Sequence, residues 1–356
     1  MQTICIILII LFILSMLFKR SKFVSLLLFI LMFLLMAFNY WNADYDMYAK
    51  LFIKYGSIDY YYNTEYLFQA FCKLIYSYKE NYHSFLFIYS AIAIFLMYVT
   101  IKKQAKYPAF VTMLYLIFSF FLDAVQIRHF MASAIICFGL KYFLKNNCTK
   151  KDYMKYLLLN IIAIGFHYMA VFYLIFLLIP KLSKKSLKPL LMKIILFSSI
   201  LFLIINSNIF IKLLSLFLPE SKINAYFISG DWKVNKIVTI ILIIVQLIPL
   251  IILWINKKNN DDNDLLKKVI IMNILLIIVT PFYFYTVEFG RIFRGIIIYD
   301  YIALSNSLTK KLTYKNIKIY FMSFLLASIL FIVLIIIVGV FNKTVLSILQ
   351  NNLLFR

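Results

Sequence analysis

The sequence has few charges, glycines and prolines for its length. Charged residues make up 14% of the 356 positions, whereas an ordinary soluble domain has about 25%. Apolar residues make up 64%, so a soluble fold with a fully solvated surface is excluded. The 7 glycines and 6 prolines exclude collagen-like and linker-like chains. At about 20 apolar residues per crossing, the length predicts an all-α, polytopic integral membrane protein with about ten or more helices.

The motifs of common cofactor chemistry are also missing. There is no Walker loop, dinucleotide fingerprint, HExxH or GxSxG motif. The cysteines show no pairwise spacing, which predicts neither a disulfide framework nor a zinc site; they are Cys5, Cys72, Cys137 and Cys148. ATP hydrolysis, redox chemistry and zinc proteolysis therefore have no support, and we expect no metal and no other cofactor.

The net charge of +23 comes from lysines that cluster in short loops between apolar runs. Lysine and arginine are enriched in the cytoplasmic loops of membrane proteins. This placement therefore indicates membrane topology and argues against a nucleic-acid partner. The basic break at Lys19–Lys22 is assigned to the inside, which places the N-terminus outside.

Apolar runs and polar breaks divide residues 1–356 into about eleven or twelve crossings of a single transmembrane domain. Ala109–Leu122 and Gly290–Leu308 are each expected to be one crossing. Two outer loops, residues 39–83 and 206–235, carry charges of both signs. In the first loop, Tyr66–Tyr78 has apolar residues at helical spacing, which predicts an amphipathic helix in the outer interface.

Tyr156–Ile179 is one apolar stretch with a lysine-rich loop at each end. If both loops lie inside, the stretch crosses an even number of times. Two arms of about a dozen residues reach about 18–20 Å each, short of the roughly 30 Å hydrocarbon core. The pattern predicts a broken or re-entrant hairpin with Gly165-Phe166-His167 near its tip. A single tilted helix is the alternative, and it would invert every later crossing.

Arginine is scarce, and its placement differs from that of lysine. Of five arginines, Arg128, Arg291 and Arg294 lie in apolar stretches near predicted outer turns, where no lysine occurs. A guanidinium stays charged when buried and binds phosphate through two parallel hydrogen bonds. These three residues are therefore candidates for binding a lipid-linked pyrophosphate. The alternative is interfacial snorkelling, or structural pairing with Asp123 and Glu288.

Candidates for proton transfer follow from the same map. His167 at the hairpin tip is a candidate general base, although a satisfied core histidine is the alternative. Asp44 and Glu65 in the first outer loop are candidates to hold sugar hydroxyls or to act as a base, and a solvated loop is the alternative. His129 neighbours Arg128 but points about 100° away from it on a helix, so it ranks lower.

Eleven tyrosines lie between residues 40 and 82. Tyr45 and Tyr48 are candidates for stacking on sugar rings, and Glu288 is a further candidate for sugar binding. An aromatic belt at the membrane interface explains the tyrosines equally well.

Four short motifs occur in order along the chain. They are the acidic, tyrosine-rich loop (Asn42-Ala43-Asp44-Tyr45 to Tyr48, then Asn63-Thr64-Glu65-Tyr66), Gln126-Ile127-Arg128-His129-Phe130-Met131-Ala132, Phe166-His167-Tyr168-Met169-Ala170 and Glu288-Phe289-Gly290-Arg291. In this order and spacing the chain resembles the EpsG family of bacterial polysaccharide polymerases, a branch of the Wzy-type group. His129 and Met169 depart from that family's pattern, which usually has Gln and Ser at these positions.

The resemblance implies a metal-independent glycosyltransferase of a membrane-embedded, GT-C-like kind. Such an enzyme joins oligosaccharide repeat units on undecaprenyl pyrophosphate into capsular, exopolysaccharide or O-antigen chains. It implies a multi-pass protein of the bacterial plasma (inner) membrane, with the active site facing the outside or periplasm. The implied partners are the lipid-linked oligosaccharides, membrane lipids, and the chain-length regulator and flippase of the same pathway.

Two other functions stay open from the sequence. A flippase or other transporter of lipid-linked oligosaccharides would also need buried arginines, although such proteins usually show internal symmetry and no internal repeat is present. Another GT-C transferase, using a polyprenyl-phosphate sugar as donor, would use an aspartate of the first outer loop as its base. An Asp44→Asn variant separates this enzyme from the polymerase.

Overall fold

The computed structural model of the chain describes residues 2–57, 65–145, 147–205, 215, 223–224, 235–258, 264–309 and 313–354. These residues form α-helices and shorter 3₁₀- and π-helical segments, and no strand occurs among them. The predicted all-α architecture is confirmed. The predicted outer loop at 206–235 lies outside the described residues, apart from residues 215, 223–224 and 235.

The elements follow one another in this order. The helices before the hairpin tip are α1 (Gln2–Leu17), α2 (Lys22–Ala37), α3 (Tyr45–Gly56), α4 (Tyr66–Tyr78), α5 (Tyr82–Gln104), α6 (Pro108–Ile117), α7 (Phe120–Val125), α8 (Ile127–Leu144) and α9 (Lys150–Phe166). After the tip come a 3₁₀ segment (Tyr168–Leu178), α10 (Ile179–Leu182), α11 (Leu187–Ile205), α12 (Lys236–Lys257), α13 (Asp264–Leu276), two 3₁₀ segments (Ile277–Phe284 and Val287–Phe289) and α14 (Gly290–Arg294). The chain ends with α15 (Ile297–Asn306), α16 (Tyr314–Phe331), two π-helical segments (Ile332–Ile337 and Asn342–Leu346) and α17 (Ser347–Gln350).

Six helical stretches among the described residues are long and apolar enough to cross a membrane. They are Tyr82–Gln104, Ile127–Leu144, Leu187–Ile205, Lys236–Lys257, Asp264–Phe284 and Tyr314–Ile336. The 23 residues of α5 extend about 35 Å at 1.5 Å per residue, enough for a hydrocarbon core of roughly 30 Å. The chain is therefore a multi-pass membrane protein. The expected count of eleven or twelve crossings stays a prediction.

The chain forms two compact units, one of residues 1–174 and 295–356 and one of residues 175–294. In the first unit α2 packs on α5 and α6, α5 and α9 pack on α8, and α4 packs on α3 and α9. Polar side chains occur on these apolar faces where they can hydrogen-bond to each other. The hydroxyls of Ser25 in α2 and Thr112 in α6, for example, lie 2.7 Å apart. In the second unit α11 packs on the Ile277–Phe284 segment.

The predicted hairpin is present, and the single tilted helix is wrong. Helix α9 ends at Phe166 because His167 has an extended backbone (φ −151°, ψ 121°). The chain then turns back along α9, since the Tyr156 hydroxyl donates to the Tyr173 carbonyl at 2.8 Å and the Asn160 amide donates to the Ala170 carbonyl at 3.4 Å. The first arm begins at Lys150, earlier than the apolar run alone indicated.

Two expected single crossings are interrupted by breaks that hydropathy does not show. Ala109–Leu122 is divided between α6 and α7, because Ser119 takes a positive φ of 100° that no helix contains. Gly290–Leu308 is divided between α14 and α15, with Gly295 and Ile296 between them. Each break leaves backbone groups at a helix end that side chains or a ligand must satisfy.

Helix α4 occupies the predicted range Tyr66–Tyr78. It buries Phe68 and Cys72 inside the first unit, to which α4 belongs, and it exposes Leu74 and Tyr78, the latter 84% exposed. A soluble surface helix would turn polar groups outward, so the exposed apolar face fits the predicted interfacial position. That position relative to a membrane stays a prediction.

Candidate active site

Glu65 is a buried carboxylate at the start of α4, and it is 8% exposed. Its backbone is left-handed (φ 60°, ψ 45°), a conformation that costs a non-glycine L-residue roughly 1–2 kcal/mol. Such strain persists only where surrounding contacts fix the residue. Three polar contacts hold the Glu65 side chain, and they come from two other predicted motifs.

The first contact is an ion pair between Glu65 Oε2 and Arg128 Nη1. Arg128 is the second residue of α8, directly after the Gln126 backbone leaves the helical region (φ −94°, ψ 62°). A carboxylate removed from water needs a paired charge or several donors to remain ionised. The guanidinium supplies that charge across 63 positions of sequence.

The second and third contacts come from the hairpin tip. His167 Nδ1 lies 3.0 Å from Glu65 Oε1, and the Tyr168 backbone N–H donates to the same oxygen at 3.4 Å. A histidine that donates Nδ1–H to a carboxylate keeps Nε2 free of a proton, so Nε2 can accept one. The His167 side chain is 13% exposed. The Glu65 carboxylate therefore joins a cation on one side to a potential base on the other.

Aromatic rings surround the Arg128 guanidinium. Its centre lies 5.4 Å from the Tyr48 ring and 5.5 Å from the Phe68 ring, within the range of cation–π attraction. Tyr48 comes from α3 and Phe68 from α4, and these helices pack on each other. Aromatic residues of the predicted first outer loop thus surround the arginine.

His129 also reaches the hairpin tip, although its position on the helix relative to Arg128 did not predict this contact. Its ring centroid lies 5.5 Å from that of His167, with the two rings nearly perpendicular, and its Nε2 lies 3.1 Å from Ser133 Oγ. The angle between neighbouring helical residues was a poor guide, because Glu65 contacts Arg128 and His167 together while the His129 ring lies beside that of His167. The spacing of Ser133 four residues after His129 was a signal for a shared helix face.

Gly295 allows the backbone to approach this histidine. A Cβ added there would lie 2.2 Å from Tyr173 Oη, 2.6 Å from Ser133 Oγ and 3.3 Å from His129 Nε2. The first two distances are shorter than real carbon–oxygen contacts, so only glycine fits without movement of buried groups. Hydropathy alone gave no reason to single this glycine out.

Asp44 and Tyr45 lie at the start of α3, one turn before Tyr48. Asp44 is half-buried, and its backbone N–H donates to Asn42 Oδ1 at 3.0 Å. The Tyr45 hydroxyl lies 3.1 Å from His83 Nε2. Burial raises the pKa of the Tyr45 phenol, and Asp46 raises it further, so the hydroxyl stays protonated and can donate to that histidine.

The remaining candidates lie in the second unit. Arg291 Nη2 forms an ion pair with Glu288 Oε2 three residues earlier, and their side chains are 22% and 18% exposed. Arg294 is buried, 6% exposed. The Arg291–Glu288 pair is the structural alternative considered for this residue. For Arg128 that alternative named the wrong acid, because Asp123 accepts hydrogen bonds from Tyr115 and Ser119 at 3.0 and 2.7 Å.

The sequence model of the EpsG family matches residues 22–348, nearly the whole chain. The chain belongs to the EpsG family. No curated protein and no solved structure matches it. Membership gives this EpsG protein a polysaccharide polymerase-type role in general and places it in polysaccharide biosynthesis. The matched region contains every residue of the Glu65–Arg128–His167 cluster.

Proposed function

We propose that this EpsG protein is the polymerase that joins lipid-pyrophosphate-linked oligosaccharide repeat units at the outer face of the bacterial plasma membrane. One observation carries the proposal: a single buried carboxylate, Glu65, contacts both Arg128 and His167. Glycosyl transfer from a pyrophosphate needs a cation for the leaving group and a base for the acceptor. This cluster supplies both groups.

The donor is the growing glycan on its polyprenyl pyrophosphate, and the acceptor is a hydroxyl of a second lipid-linked repeat unit. The acceptor oxygen forms a bond to the anomeric carbon of the donor. The bond from that carbon to the pyrophosphate oxygen breaks, and its electron pair leaves with the pyrophosphate. The acceptor proton passes to His167 Nε2. The products are a lengthened glycan on one lipid and a free lipid pyrophosphate.

Glu65 orients the base. By accepting the hydrogen bond from His167 Nδ1 at 3.0 Å, it selects the tautomer whose Nε2 can take the proton. A carboxylate in this position also stabilises the imidazolium that forms, as in other histidine–carboxylate pairs. The Tyr168 N–H holds the same carboxylate oxygen at 3.4 Å, which fixes the direction of the pair.

Arg128 balances charge during the reaction. Before transfer, its positive charge and the negative charge of Glu65 cancel, with His167 neutral. After His167 takes the acceptor proton, the cluster carries one net positive charge. That charge appears as the pyrophosphate oxygen becomes negative, so the electrostatic stabilisation is greatest in the transition state.

The other candidates keep supporting roles in this proposal. Arg291 and Arg294, which lie in the second unit, keep the role of candidates for binding lipid-linked phosphate through guanidinium forks. In the first unit, Asp44, Tyr45 and Tyr48 hold sugar hydroxyls or rings. In the second unit, Glu288 keeps its role as a separate candidate for sugar binding.

The test is polymer synthesis by the purified full chain in lipid vesicles that contain lipid-pyrophosphate-linked repeat units. The unaltered protein is expected to give a ladder of products, and His167→Ala is expected to slow polymerisation by about 10²–10⁴-fold. Asp46→Asn, which removes an exposed carboxylate of α3, is the control and should keep the ladder. Transport of repeat units across the bilayer without any polymer would contradict the proposal and identify a carrier.

A further inference from the structure

A basic cleft lies in the second unit, and the polymerase mechanism does not use it. Its volume is about 590 Å³, within the usual 300–1,000 Å³ of small-molecule sites. The cleft lies where the start of α11, the end of α12 and α13 come together. It is lined by Ser186, Leu187, Lys188, Pro189, Trp254, Lys257, Lys258 and Lys267.

Four lysines from three helices converge on this cleft. Among the described residues, no carboxylate forms an ion pair with Lys188, Lys258 or Lys267. Asp264, which belongs to α13, pairs instead with Lys268 at 2.6 Å. Converging ammonium groups repel one another, so an arrangement of this kind is stabilised by an anion that binds between them.

The cleft has an apolar side as well. Trp254 and Leu187 line it, and the neighbouring residues Ile251 and Ile255 of α12 are 54% and 38% exposed. Tryptophan is enriched at the boundary between lipid and water. An occupant that combines an anionic group with a hydrocarbon part therefore meets a matching surface, whereas a free anion uses only the lysines.

We propose that this cleft binds a phosphate group, and that the phosphate belongs to the headgroup of an anionic membrane phospholipid. The lysine distribution assigns this end of the helices to the cytoplasmic side, where anionic lipids attract basic segments. The Ser186 hydroxyl and the lysines bind the phosphate, and the acyl chains lie along the exposed face of α12. This site is separate in chemistry from polymerisation and does not depend on the proposed function.

Trp254 provides a local probe. In a Trp41→Phe/Trp232→Phe background of the full chain in detergent, Trp254 is the single tryptophan of the sequence. Titration with dioctanoyl phosphatidylglycerol is expected to change its fluorescence to saturation, and dioctanoyl phosphatidylcholine is expected to bind at least about tenfold more weakly. Glycerol 1-phosphate and inorganic phosphate test the soluble source of the same group.

The variant Lys188→Gln/Lys267→Gln is expected to raise the Kd for phosphatidylglycerol by about 30-fold. The matched control Lys150→Gln/Lys151→Gln removes two exposed lysines at the start of α9 in the other unit and should leave the Kd unchanged. Lys188→Arg/Lys267→Arg keeps both charges and should still bind phosphatidylglycerol. Its binding would show that the loss in the Gln variant comes from the missing charges and not from a folding defect.

Three outcomes decide the proposal. Selective binding of phosphatidylglycerol that is lost in the Gln variant alone supports the lipid headgroup. Equally selective binding of glycerol 1-phosphate or inorganic phosphate would retain a phosphate site and overturn the lipid as its source. Equal binding of both lipids, or equal losses of binding in Lys188→Gln/Lys267→Gln and in the control Lys150→Gln/Lys151→Gln, would overturn the site itself.

Discussion

Arg128 and Arg291 are both paired with a glutamate, but the two pairs are built differently. Arg291 pairs with Glu288 within one turn of the chain. Arg128 pairs with Glu65 across 63 positions, and that glutamate also contacts His167. The local pair needs only the short helical stretch 287–294. The long-range pair needs α4, α8 and the hairpin tip in the correct relative positions. Glu65 therefore does more than neutralise an arginine, because the same carboxylate also contacts the histidine that can act as a base.

The largest difference is expected when each glutamate loses its charge. Glu65→Gln removes the buried counterion, 8% exposed, of the half-buried Arg128 guanidinium, and it removes the acceptor that orients His167. Glu288→Gln breaks a partly exposed pair worth about 1 kcal/mol or less. We expect the product ladder to collapse to single repeat units in Glu65→Gln and to persist in Glu288→Gln. The melting temperature should fall more in Glu65→Gln than in Glu288→Gln. A ladder lost equally in both variants would remove the distinction between the two pairs.

The arginines themselves are expected to differ in how well lysine replaces them. Arg128→Lys keeps the charge but loses the fork that can bind Glu65 and phosphate together, so polymerisation should fall by about 10²-fold. Arg20→Lys is the control, because Arg20 also contacts a tyrosine, Tyr107, at 2.9 Å but lies away from the cluster. Initial rates in vesicles measure the effect. Normal polymerisation by Arg128→Lys would show that the paired hydrogen bonds to phosphate are not needed.

A smaller effect is expected from the glycines near the two pairs. A Cβ on Gly165 would lie 2.7 Å from Leu67 Cγ, so Gly165→Ala should push α4 and Glu65 away from the hairpin tip and slow polymerisation by about tenfold. A Cβ on Gly290 would meet Leu242 at 3.4 Å, an ordinary contact, and Gly290→Ala should be tolerated. The rates of the two alanine variants, at equal amounts of protein in the membrane, test this. The opposite order would mean that the α4–hairpin contact does not set the geometry of the site.

The smallest effect concerns a local carboxylate that has no part in the site. Hydrogen bonds from Lys145 and then Thr149 hold the pKa of Asp152 well below its usual range at the start of α9. Because its folded pKa is depressed, Asp152 stabilises the fold above about pH 4, and this contribution is lost as the pH falls further. Asp152→Asn should therefore lower the melting temperature at pH 7, less at pH 3, and leave polymerisation unchanged. A loss of polymerisation would show that capping residues contribute to the site after all.

Local features of the fold could be predicted from the sequence. The range of α4 followed from apolar spacing, and the hairpin followed from lysines on both sides of a stretch too short for two full crossings. The breaks at Ser119 and Gly295 could not be predicted, because neither polarity nor hydropathy changes there. A positive φ at one serine and the close approach of Tyr173 to one glycine depend on tertiary packing.

Individual candidate residues could be named from the sequence, but their contacts with one another could not. Glu65, Arg128 and His167 were each candidates because polar groups in apolar surroundings are costly. Their pairing was not foreseen, and the structural alternative for Arg128 named Asp123 as its partner. Ion pairs between distant positions depend on how helices pack, and hydropathy contains no information on that. His129 was ranked too low for the same reason.

The most direct test of the central claim is a double-mutant cycle on Glu65 and His167, measured as the initial rate of polymerisation by purified protein in vesicles. If Glu65 acts through His167, Glu65→Gln and His167→Ala each lower the rate, and the double variant is no slower than the slower single variant. Multiplied losses in the double variant, or full activity in either single variant, would contradict the account.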